Sequence, residues 1–316
     1  VRETRSTMPA LITHHLFGEE AARRLPDTLL SSEEEKIAFL LGNQGPDPFL
    51  FRFRTLPEAA TSCHRLGNRM HREKVHQAFY SLRGAVVQLR ESDKTIGRAF
   101  VLGLLAHYLL DSSVHPFIYA QEDAICSAGV GLENAHSEVH AIIESDLDSW
   151  MLWSLCGRTI EDTAPASMLV RTERIGLIAS ALLSQTALQV FSIKLNANEY
   201  ANCVADYELV CRIIEPAGSH VSQAISSIKR IGRSYSILSA LAHRATTSDE
   251  CAAANLEHNP WADPTTGEWS DASFADIFQN TLDRWPAFAE DFVRADKDGL
   301  VLLLGQRDYR GKPIEE

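Results

Sequence analysis

Apolar residues recur along this chain at helical spacing, with no strand-like alternation. Ile37, Phe39, Leu40 and Leu41 follow Ser32 and three glutamates, the pattern of a capped helix with an acidic first turn. Leu66, Met70, Phe79 and Leu82 mark a helix over 57–91. Segment 93–114 predicts a strongly apolar helix with a polar seam, and 133–156 a second. Segments 168–195, 197–214 and 218–244 keep the same period, and a last helix is predicted over 273–295. Two stretches break it: Gly42 to Pro48 (GNQGPDP), and His258 to Ser273 with its Asn-Pro, Asp-Pro and Thr-Gly steps. No repeat or linker interrupts the order. The pattern predicts an all-α fold: one multi-helix domain over 8–300, a polar and patternless extension at 1–7, and a C-terminal tail at 301–316.

Composition narrows the function classes. Of 316 residues, 45 % are apolar and 23 % charged, ordinary for a soluble globular protein with a sizeable core. The net charge of −12 offers no broad basic footprint for duplex nucleic acid, although bound divalent metals would add positive charge locally. No signal-peptide pattern opens the chain. The most apolar run, 99–110, carries His107 and is too short to span a bilayer, so the expectation is a cytoplasmic protein without a transmembrane segment. The six cysteines form no CxxC pair and are expected to be buried thiols.

The candidate chemistry lies on the two apolar helices. His107, Asp111 and His115 are spaced i, i+4, i+8, so they form one stripe that drifts by roughly 80° over two turns. An ionised Asp among Leu104, Leu105, Leu109 and Leu110 is costly to bury unpaired, and a metal cation removes that cost. His136, His140 and Glu144 make a second row at the same spacing. Two such rows packed face to face would close a multinuclear site between core helices. Either row alone is also explained by a solvated polar face. His14 and His15, Asp47 between two prolines, and His71 are single candidates; each alone is more often structural than functional.

Together the motifs have an order. Thr13-His14, then Gly45-Pro46-Asp47-Pro48, then Met70-His71, then His107-Tyr-Leu-Leu-Asp111 with His115, then His140-x-x-x-Glu144, resembles the zinc-dependent phospholipase C family in its bacterial branch. That family is related in fold to the single-strand-specific zinc nucleases. Asn255-Leu-Glu-His258-Asn-Pro-Trp261 is similar to that branch too, so the resemblance covers most of the chain. It implies one zinc held by Asp47, His71, His107 and Asp111, and a second by His115, His140 and Glu144. It implies a third held by His14 and a bridging Asp111. The third is completed in the family by an N-terminal amine and carbonyl, which Pro9 would supply if Met8 were the start and removed. His115 follows Asp111 by four residues, a shorter gap than the family's usual one. His136 has no counterpart.

The activity implied is hydrolysis of phosphodiesters by attack of metal-bound hydroxide on phosphorus, with Asp47 also orienting or deprotonating the water. Substrates would be a phospholipid or a related small phosphoester. Two alternatives stand beside it. One is a single-strand nuclease or nucleotidase, stacking bases on Phe49, Phe51, Phe53, Tyr108 or Phe117. The other is a catalytically silent, metal-stabilised helical binding protein, against which the lack of cysteine ligands argues.

Overall fold

The structure is a computed structural model that describes residues 10–129, 132–215 and 242–314. Its first half runs α1 (Leu11–Arg23), α2 (Glu33–Gly42), a 3-10 turn (Asp47–Phe51), α3 (Pro57–Met70), α4 (Val75–Gln88), α5 (Lys94–Ala128) and α6 (His136–Cys156). Then follow α7 (Glu173–Phe191), α8 (Glu199–Ile214), a two-residue hairpin of β1 (Trp261–Ala262) and β2 (Trp269–Ser270), α9 (Phe274–Arg294) and α10 (Lys297–Leu304). Among the described residues the protein is all-α apart from that hairpin, whose register pairs Trp261 with Ser270, and one isolated bridge between Arg307 and Pro313. The helix predicted over 218–244 and the extension at 1–7, with Pro9, lie outside the described residues, save 242–244, which form no helix.

Caps set several boundaries. Ser32 accepts from the Glu35 amide, Thr172 from Ile175, and Asp296 from Gly299. Ser273 and Asp276 bond reciprocally at the start of α9, a capping box with Asp in place of Glu.

Three elements differ from expectation. The helix predicted over 57–91 is two, because the chain turns at Lys74 in the left-handed region (φ 59°). His71 is therefore the C-cap of α3 and not a mid-helix residue. The helix predicted over 93–114 runs on to Ala128 through Pro116, which costs it one backbone hydrogen bond without ending it. Residues 99–111 are buried on every side, as an all-round apolar core helix should be. Among the described residues two helices, α5 and α7, are long and apolar enough to cross a bilayer; 94 % of the apolar window of α5 is buried within the protein. Residues 301–316, expected as a tail, begin inside α10 and then bury Tyr309.

The described residues divide into two compact units. One falls within Val1–Leu16, Val114–Met168 and Glu208–Phe278, the other within Phe17–Ser113, Leu169–Tyr207 and Gln279–Glu316. In the second, α2 and α5 touch at Gly42 and Gly103: a Cβ on either would lie 2.1 Å from the Phe100 carbonyl or 2.0 Å from that of Phe39. Only glycine permits this approach, and it sets the end of α2 one turn before His107.

Candidate metal centres

In the second unit, the 3-10 turn begins at Asp47, where Pro46 and Pro48 stiffen the backbone. Tyr200 donates to the Gly45 carbonyl (2.9 Å) and its ring meets Phe49 edge-on. The far end of the turn is held by Arg52, buried with Glu199 and Asp206 at 2.6 Å each. Burial pushes the Asp206 carboxyl up, but the Arg54 amide and guanidinium, the Phe53 amide and Arg52 outweigh it and hold it down at about 2. Gly45 has φ +60°, and a Cβ there would sit 2.3 Å from the His107 ring. The loop therefore lies directly against that imidazole.

His71 Nε2 is 2.9 Å from Asp47 Oδ1. His107 Nε2 is 3.2 Å from Asp111 Oδ2 and 4.0 Å from Asp47 Oδ2. All four residues are buried. His71 Nδ1 donates to the Gly67 carbonyl at 2.7 Å, and His107 Nδ1 to that of Asn43 at 3.1 Å. These bonds fix the tautomers and aim both Nε2 lone pairs at the carboxylates. Tyr309 closes this side: its ring meets His71 at 5.3 Å and its amide donates to the His71 carbonyl. Burial and the neighbouring Asp111 push its phenol well above the ordinary range.

In the first unit the cluster comes from two helix faces. His115 on α5 and His140 on α6 stack at 5.8 Å, with Tyr119 beside both. Glu144 Oε1 lies 3.3 Å from His140 Nε2 and 3.7 Å from His115 Nε2. His140 Nδ1 donates to Glu122 Oε2 at 2.9 Å. Burial alone would lower the His140 pKa, but Glu144 and Glu122 outweigh it and raise the imidazole to about 10. Burial pushes the Glu144 carboxyl up, and His140 and His115 pull it below its ordinary value despite this. The carboxylate field that favours a charged imidazole here equally favours a metal cation among these donors.

The donors fit zinc. In each of the groups Asp47–His71–His107 and His115–His140–Glu144, the donor atoms lie within 4.8 Å of one another. Tetrahedral zinc with bonds near 2.1 Å sets its ligand atoms about 3.4 Å apart. His140 Nε2 and Glu144 Oε2 are buried with no hydrogen-bond partner, a cost that a cation removes. The donors are imidazole nitrogens and carboxylate oxygens without thiolate, as in hydrolytic sites.

His14 is buried on α1 and His15 only half-buried. The start of α1 is capped from α6: Asp148 accepts from the Ile12 (2.9 Å) and Thr13 (2.7 Å) amides. Asp148 in turn holds His243, which also meets Glu215; these carboxylates overcome burial and raise that imidazole to about 10. Among the five aromatic candidates for base stacking, Phe49, Phe51, Tyr108 and Phe117 are buried in packing and only Phe53 is exposed. The sequence pattern does not single out Glu122, since its helix was expected to end at 114, nor Tyr309, in the supposed tail.

Comparison with known proteins gives one family. The model of the zinc-dependent phospholipase C family matches residues 13–171, about half of the 316. No curated protein and no solved structure matches the chain. The matched span contains every proposed ligand from His14 to Glu144, and the chain belongs to the zinc-dependent phospholipase C family.

Proposed function

We propose that this protein hydrolyses phosphodiesters as a phospholipase C-like enzyme with two zinc ions. Asp47, His71, His107 and Asp111 would hold one, and His115, His140 and Glu144 the other. The observation that carries this reading is the pair of buried, thiolate-free clusters with donors close enough to share a cation. Zinc, when bound, supplies a Lewis acid for the phosphoryl oxygens and lets water ionise near neutral pH.

The remaining work falls to side chains. The four imidazoles, two of them anchored by backbone carbonyls and one by Glu122, hold the donor geometry before substrate arrives. Burial of every donor limits the competing bulk water. Asp47, beside the His71 and His107 imidazoles, is the residue assigned to orient the attacking water and take its proton. A phospholipid or small phosphoester is favoured over a nucleic acid, because four of the five candidate stacking rings are already packed away.

The test is zinc analysis of the purified protein with hydrolysis of bis(4-nitrophenyl) phosphate, followed by phosphatidylcholine against single-stranded DNA. Asp47→Asn should lower kcat by about 10²–10⁴-fold. Full activity in that variant would remove Asp47 from the chemistry. Zinc without hydrolysis of any ester would favour the binding-protein alternative.

A further inference from the structure

His136 belongs to neither ligand set, yet the structure gives it a specific partner. Glu122 projects from α5 seven residues after His115, on the same face of the helix. It is 1 % exposed. Its Oε2 accepts from His140 Nδ1 at 2.9 Å and its Oε1 from His136 Nδ1 at 2.7 Å. His136 lies one turn before His140 on α6, and its side chain is 28 % exposed. Asp123 Oδ1 is 3.7 Å from the same His136 nitrogen. One buried carboxylate is thus divided between an imidazole facing the donor cluster and an imidazole reaching solvent.

A carboxylate behind a metal-bound histidine fixes its tautomer and ring plane and strengthens the inner nitrogen as a donor. Its charge is shared among the hydrogen bonds it accepts, so a second donor weakens its hold on the first. We propose that Glu122 is the positioning residue of the His115–His140–Glu144 site and that His136 tempers it, so that zinc affinity there depends on how Glu122 is shared. This rests on reading that cluster as a zinc site. The two variants should then act in opposite directions, which a simple structural clamp would not produce.

The experiment is a competition titration of zinc on the full chain against a chromophoric chelator, with cobalt substitution read by its visible spectrum. Glu122→Gln should weaken the affinity of this site by about 10–100-fold and shift its cobalt bands. His136→Ala should bind zinc more tightly than the unaltered protein. Glu122→Gln with unchanged affinity and spectrum would overturn the positioning role. Unchanged or weaker zinc affinity in His136→Ala would overturn the tempering role. Should Glu122→Gln fail to fold, His136→Ala, which removes a part-exposed side chain, still decides by the sign of its effect. His140→Ala separates the two readings: if it binds as many zinc ions as the unaltered protein, the zinc assignment fails and not merely the role of Glu122.

Discussion

The cluster around His107 and the cluster around His140 use the same donor types and are built differently. The first gathers Asp47 from a 3-10 turn, His71 from the end of α3, and His107 and Asp111 from α5. Its outer imidazole nitrogens rest on neutral backbone carbonyls, those of Gly67 and Asn43. The second takes His115 from α5 and His140 and Glu144 from α6, and rests His140 on the charged Glu122. In the first cluster two carboxylates sit among the donors; in the second there is one, with another a step behind the imidazole. A site assembled from a loop depends on remote packing for its shape. A site on two helix faces depends on local spacing and on the charge behind it.

The largest effect should come from the ligands themselves. His107→Ala and His140→Ala should each cost one zinc by elemental analysis. Hydrolysis should fall about 10³-fold or more in each, since metal stabilisation of the transition state is worth several kcal/mol. A His140→Ala protein with zinc reduced and activity intact would make the helix-face cluster structural only, and so divide the two sites by role.

Arg52→Ala tests remote support. Removing one partner of a buried ion pair costs about 3–5 kcal/mol, and urea unfolding should show it. Zinc should be lost from the Asp47 cluster before the Glu144 cluster, because Arg52 anchors only the turn that carries Asp47. Equal loss from both would contradict the difference. Gly45→Ala is a smaller version of the same test. A left-handed alanine costs about 1–2 kcal/mol, and its Cβ would press on the His107 ring at 2.3 Å. Affinity at the Asp47 cluster should fall, with the other cluster unchanged.

The last effect is a slope. In zinc-free protein His140 and His243 are raised from 6.5 to about 10. A raised folded value means that their contribution to stability is complete below pH 6.5 and is lost as pH climbs through 10. Glu144, lowered, has the opposite sign: its contribution is present above its ordinary 4.5 and lost on acidification. Tm of chelator-treated protein should therefore fall from pH 7 towards pH 10. The fall should be shallower with zinc bound, since the cation takes the place of the His140 proton. Equal slopes with and without zinc would count against a cation at His140.

Spacing and chain order made different parts legible. The row His107, Asp111, His115 and the row His136, His140, Glu144 follow from helix periodicity, and so does the all-α fold. Glu122 continues the first row, but an apolar run that fades after Leu110 and a proline at 116 point to a helix end, whereas burial carries the helix through. His71 reads as mid-helix because nothing in Arg72-Glu73-Lys74 announces a left-handed turn; lysine takes that conformation where its Nζ reaches the Val190 carbonyl at 2.9 Å. Asp47 stands out only as a carboxylate between prolines. What sets it against His107 is the glycine contact between α2 and α5, and no local pattern shows that. Tyr309 sits in a polar stretch whose packing depends on partners distant in sequence.

The most direct test is anomalous diffraction at the zinc edge from crystals of the zinc-loaded protein. One peak is expected among Asp47, His71, His107 and Asp111, and another among His115, His140 and Glu144. No peak at either cluster, in protein shown by elemental analysis to carry zinc, would contradict both assignments.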